Sequence, residues 1–548
     1  MSQTAVVENL GLDFWNWRVK QQPRSHDDIP RMERVKDWVP AWSQLDIEGY
    51  RIAIDEFQNR YAAIVFEDIQ DPSFDKGTYV DYRLIGSAIS RVYWELDYLK
   101  IWQEQPRFYI DQTIGVIFDL LTAPGVDDDR ISQVAVVLEN TSKILQDGIE
   151  NLTDNAVREY SIVATDLLDN IDTQITTMIE ELSVFAEPST VKALQAAGAA
   201  AISAFMNFRE WLADNQDLMK PIQPVGKEKY QWFFGHVALV PYQPEELIAI
   251  GNLEWERAVT LEHITANKYR NLEIPKIPVD VDEQVENERG AELQVRSFYE
   301  EENLLTQPDS LKHYLNGPLP PYLQPIKWLG VTDDLTGPSR VDDNGISYVP
   351  KPHNELPYFY AANARDTRAG IVHEGAHYQQ LALSWRNERP LRRFYYDSGV
   401  NEGIAFYNEE LMLSAGLFDD APHSKTVMYN FMKLRAMRVI VDVKLAIGLI
   451  DIDTATAYLE KKVPMDYATA HEEAVFFASS PGQALTYQIG KTQIIKLFSD
   501  SIEKQGKSFS MKHFHNYLWY NGNVPLSLLR FEYLDDWSEI VLIDSRAN

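Results

Sequence analysis

HEGAHYQQ, residues 373–380, reads either as one more turn of an amphipathic helix or as a metal site with its base built in. On an α-helix His373 and His377 stand four residues apart, so both imidazoles face one side and can reach one ion. Glu374 is poorly placed to bind the same ion but well placed to take a proton from water that the ion activates. Gly375 costs such a helix about 1 kcal/mol relative to alanine, which fits close approach of another group to that face.

A catalytic centre of this kind needs a third protein ligand and an open position. The next segment, DSGVNEGIAFYNEELMLSAG, offers Asp397 or Ser398 as a helix N-cap and Gly416 as its C-cap. Its first-turn acid, Glu402, follows a break at Pro390 that turns the chain back antiparallel, and is the expected third ligand. Two turns further along the same face, Glu409 could orient a histidine from behind. Glu410 suits that role less well, and a solvated surface explains both acids equally.

Working outward, 548 residues suffice for two to four domains, or for one large helical enzyme around a cleft. With 45% hydrophobic and 24% charged residues the chain is globular. A formal net charge of -31 repels phosphate backbones and anionic lipid, so neither nucleic acid nor membrane is an expected partner. The absence of cysteine removes thiolate chemistry and leaves His, Asp and Glu as metal ligands. The segment MSQTAVVENLGLDFWNWRVKQQ lacks the features of a signal peptide, and the most apolar run, Met437 to Ile450, is broken by Asp442 and Lys444. A cytoplasmic protein is expected, and a homo-oligomer is compatible with the sequence.

The predicted fold is mainly α, a large helical metallopeptidase-like chain with a deep cleft and a small β-sheet near the active site. Three segments are expected: a helical half over 1–315, a Pro/Gly-rich connection with short strands over 316–365, and a helical half carrying the metal site over 366–548. They could equally form one continuous domain. Within the connection, ISYVP and YFYAA suit strands, and a strand beside the metal helix could bind an extended peptide through its main chain. The acid-rich stretch VDEQVENERGAELQVRSFYEEEN reads as a solvated helix face. Breaks are placed near Pro390, Gly416, Pro464 and Pro481.

From about Gly226 onward the chain resembles the bacterial family catalogued as domain of unknown function 885. The likeness rests on GKEKYQWFFGHVALVPYQPEEL, HEGAHYQQLALSW, YYDSGVNEGIAFYNEELMLSAGLF, LRAMRVIVDVKLAIG, SSPGQALTYQIGKTQI and FHNYLWYNGNVPLSLL, in that order. That family's fold is similar to Taq-type zinc carboxypeptidases and, more distantly, to thimet oligopeptidase and angiotensin-converting enzyme. Two departures stand out: HEGAH lacks the family's inserted Pro-Gly and extra His, and Ile404 replaces its usual Trp after Glu-Gly.

The resemblance implies one zinc ion held by His373, His377 and Glu402, with Glu374 as base and Tyr487 as donor to the oxyanion. Arg435, Arg438 and Lys491 are the cations available for a substrate carboxylate, though each equally suits a salt bridge. His515 reads as a packed structural residue. The implied activity is a zinc metallohydrolase, a carboxypeptidase or oligopeptidase acting on short peptides. Alternatives are a small-molecule amide or ester hydrolase at the same ion, and a non-catalytic metal-binding or scaffold protein.

Overall fold

The structure is a computed structural model; it describes residues 2–25, 28–66, 74–333, 337–353, 355–463 and 465–547. Pro464, one expected break, lies outside them. The protein is mainly helical, and among the described residues no helix is long and apolar enough to cross a membrane.

The chain forms two compact units. The first comprises Met1–Val65, Ala88–Gln223 and Leu319–Asp333. Its spine is α1 (Asp128–Leu152) packed along α2 (Pro188–Asn215). The second comprises Phe66–Ser87, Pro224–Pro318 and Asp334–Asn548, so it takes in sequence from both sides of the Pro/Gly-rich connection.

The HEGAH motif and the helices around it lie in the second unit. They are α3 (Pro244–Lys268), α4 (Val281–Glu301), β1 (Tyr314–Pro318), β2 (Gly345–Val349) and α5 (Tyr358–Arg365). After these come α6 (Ala376–Ser384), α7 (Ser398–Ala415), α8 (Pro422–Ala446), α9 (Tyr467–Ser479) and α10 (Thr486–Gln505).

β1 and β2 run parallel, in register from Tyr314 opposite Gly345 to Pro318 opposite Val349. This pair lies against the HEGAH turn. A Cβ at Gly345 would sit 2.5 Å from the Tyr378 ring, and one at Gly375 would sit 3.6 Å from the Tyr314 ring. Ile371 of the same turn is nearer to that point, at 3.3 Å, and the Tyr314 ring makes an ordinary contact with it.

One reading is corrected here and another is extended. YFYAA is not a strand but the first turn and a half of α5, where Ala361 N–H bonds back to Pro357 O and Ala362 packs with Val427 and Phe431. Tertiary packing overrides the strand propensity of its aromatics. The acid-rich helix α4 has the expected solvated face, with Asp282, Glu283 and Glu286 exposed, and on its other face Gln284, Glu288 and Glu292 are buried. Glu288 accepts the Asn316 N–H at 2.8 Å and Glu292 meets His313 Nδ1 at 2.9 Å, so this face covers the outer edge of β1.

α7 starts at Asp397, whose carboxylate accepts the Val400 N–H, and ends at Gly416 with φ 104. It packs backbone to backbone on α10. A Cβ at Gly403 would lie 2.6 Å from Gly490 Cα, and one at Gly490 would overlap Gly399 O. Because backbone cannot yield as a side-chain tip can, Gly490→Ala is expected to destabilise the protein by about 3 kcal/mol in urea unfolding. The contact also fixes Glu402 on α7 against Tyr487 on α10.

Candidate metal centre

The HEGAH turn is not plain α-helix. Ile371–Gly375 forms a π-helical turn between Arg368–Gly370 and α6. Such turns disrupt the regular hydrogen-bond ladder and are common at functional sites. Here the buried Asn408 on α7 donates to Val372 O at 2.7 Å, tying α7 to the turn. Asn401, beside Glu402, donates to Gln380 at 2.7 Å and ties α7 to α6 as well.

These ties bring His373, His377 and Glu402 together. One ligand atom from each lies within 4.8 Å of the other two. Glu402 Oε2 is 3.2 Å from His377 Nε2 and 3.5 Å from His373 Nε2, and the imidazole rings sit edge to face at 4.9 Å. Glu402 lies in the second turn of α7, not the first as the spacing suggested.

The donor set fits a divalent cation. Glu402 Oε2 is buried and lacks a properly aligned hydrogen bond, although both Nε2 atoms face it. Behind His373, Glu409 Oε1 lies 2.6 Å from Nδ1, and Glu409 is 1% exposed. Glu409 thus stands where it can accept from an Nδ1–H, an arrangement that would turn the Nε2 lone pair of a neutral His373 towards the centre. Two imidazoles and a carboxylate are ordinary zinc ligands.

Electrostatics carry the same signature. Burial and Arg435 pull the His373 pKa down, but Glu402 and Glu409 outweigh them and hold it at about 9. Burial favours a protonated Glu402, yet the two imidazoles hold its carboxyl well below the usual range. Without metal, His373 therefore carries an extra proton at neutral pH, which a cation must displace. Metal affinity should rise with pH, about tenfold per unit towards pH 9, and then level off. Calorimetric zinc titrations in buffers of different ionisation enthalpy should show about one proton released by His373 at pH 7.

Glu374 is half-buried on the same turn, beside Tyr360 of α5, whose hydroxyl is pushed up by burial and by the Glu374 charge. Tyr487 stacks parallel to His373 at 6.0 Å and hydrogen-bonds Glu402. Burial and the Glu402 charge push its pKa far above the ordinary value, so its hydroxyl keeps its proton at neutral pH. Arg435 and Arg438 lie 5.2 and 5.6 Å from the Tyr487 ring.

Each of the three cations meets a carboxylate of the protein. Arg435 pairs with Glu409 at 2.7 Å, and Arg438 forms a two-pronged pair with Glu473 of α9 at 2.7 and 3.0 Å. Lys491, 1% exposed, is held by Glu410 at 2.8 Å and Glu254 at 3.2 Å. Glu410 also binds Arg257, so it turns away from the histidines. His515 is fully buried between Leu304 O and the Tyr407 hydroxyl, and burial lowers its pKa to about 4.

Sequence reasoning missed Tyr360, Glu473 and Asp442. Asp442 had been noted only for interrupting an apolar run. It is fully buried, accepts the Gly482 N–H at 2.9 Å and the Tyr230 hydroxyl at 2.8 Å, and so pins the loop that leads into Tyr487. Burial raises its pKa to about 7. A charged residue inside an apolar helix was the available signal.

Fold and geometry together define a mainly helical protein with a His-Glu-x-x-His motif and a following glutamate around one centre. Residues 34–532 match the family described as bacterial protein of unknown function, DUF885, and the chain belongs to that family. The fold is shared with a solved structure named "putative lipoprotein" from Colwellia psychrerythraea, at TM-score 0.77 and 16% identity, with 100% of each chain covered. It is shared also with a "putative lipoprotein of unknown function" from Shewanella oneidensis, at TM-score 0.71 and 17% identity, covering 97% of this chain and 100% of that one. No protein of curated function matches the chain.

Proposed function

We propose that the protein is a zinc-dependent hydrolase of short peptides or peptide-like amides, in the manner of the metallopeptidases its motif resembles. The observation that carries this reading is the convergence of His373, His377 and Glu402 to within 4.8 Å, with Glu409 on the outer nitrogen of His373. A divalent cation bound there supplies a Lewis acid that polarises a carbonyl and brings the pKa of water to about 7. Glu374 takes the proton of the attacking water and passes it to the leaving amine. Tyr487, protonated and next to Glu402, donates to the developing oxyanion, a contribution of roughly 3 kcal/mol in comparable sites.

A second reading, an amide or ester of a small molecule, is favoured by the pairing of Arg435 and Lys491 with carboxylates of the protein. A substrate with no free carboxylate needs neither cation. Incubation with peptides bearing free or blocked C-termini, followed by mass spectrometry, tests both. Trimming of peptides supports the peptidase; intact peptides alongside a cleaved small amide or ester support the second reading.

The cytoplasmic location expected from the sequence stands as a proposal, and the names of the two structural relatives weigh towards an extracytoplasmic, lipid-anchored setting. Fractionation of cells producing this chain distinguishes them.

A further inference from the structure

Arg435 was a candidate for holding a substrate carboxylate, yet its surroundings suit another task. Its side chain is buried, 7% exposed for the whole residue, with the guanidinium lying over Phe406 at 4.6 Å, Tyr487 at 5.2 Å and Phe431 at 5.8 Å. Nη1 donates to Glu409 at 2.7 Å, and Nη2 lies 3.3 Å from His373 Nδ1. Glu409 is therefore shared between a guanidinium and the outer nitrogen of a metal-ligating imidazole.

The two partners pull Glu409 in opposite directions. A carboxylate accepting from the outer N–H of a histidine raises the basicity of the ligating nitrogen and tightens metal binding. A guanidinium on the same carboxylate withdraws part of that negative charge. Its own charge also sits one imidazole away from a dication, in surroundings of aromatic rings that screen poorly.

We propose that Arg435, by drawing charge from Glu409 behind His373, limits the grip of the centre on its cation, which keeps the bound ion electrophilic. This rests on the metal reading above and goes beyond it. A purely structural arginine makes the opposite forecast: its loss would free Glu409 to drift and weaken metal binding.

The experiment is competition for zinc between the full chain and a chromophoric chelator. Arg435→Gln is expected to bind zinc about tenfold more tightly than wild type, and Arg435→Lys, which keeps the charge, within about threefold of it. The cobalt(II)-loaded Arg435→Gln protein should show a shifted visible spectrum, reporting a changed ligand field at His373. Should Arg435→Gln not fold, Arg435→Met fills the same aromatic slot and is read the same way. If wild type binds zinc and the charge-removing variant binds it equally or more weakly, the role given to Arg435 is overturned while the metal centre stands. If wild type takes up no zinc, the metal reading itself falls, and this inference with it.

Discussion

Glu374→Gln is expected to keep one zinc per chain and to slow hydrolysis of a responsive substrate by about 10³-fold, within the usual range for loss of a general base. The amide is isosteric with the carboxylate but cannot accept a proton at neutral pH. Glu374 is half-buried on the π-helical turn and is not among the three converging ligands, so the metal site should survive the change. The measurement is kcat/KM at matched zinc occupancy. Equal rates for variant and wild type would favour the non-catalytic metal-binding or scaffold reading.

The second large effect falls on Glu402. Its carboxylate faces both Nε2 atoms and is the one negative charge among the three ligands. In Glu402→Gln a neutral amide would stand between the two imidazoles, and the three converging side chains would carry no negative charge to offset a cation. Zinc affinity should fall by roughly 10³-fold, well beyond the 10–100-fold typical of losing an outer partner such as Glu409. Chelator competition measures both. Unchanged affinity in Glu402→Gln would remove this residue from the ligand set.

The parts of the centre that could be read from the chain are those set by local helical geometry. His373 and His377 share a face because they are one turn apart, and Asp397 and Gly416 punctuate α7 as their residue types demand. Glu402 and Glu409 follow from the same periodicity.

What was not legible depends on contacts between segments distant in sequence. Nothing near Arg435 announces that it will meet Glu409 and His373, 26 and 62 positions earlier. The π-helical turn carries no compositional mark, and its freed carbonyl is answered by Asn408 from another helix. β1 contains Asn, Gly and Pro, poor strand formers, and exists because β2 pairs with one edge while Glu288 takes an N–H on the other. The aromatic run at the start of α5 failed as a strand for the converse reason: it packs with α8, where Phe359 stacks on Phe431 at 4.7 Å.

X-ray absorption at the zinc edge, on protein purified without chelators and then supplied with zinc, tests the central claim most directly. The account predicts one ion per chain with two imidazole nitrogens at about 2.0–2.1 Å, carboxylate oxygen at about 2.0–2.2 Å and an open position occupied by solvent. Zinc uptake well below one per chain, or a coordination sphere without the two imidazoles, would contradict it.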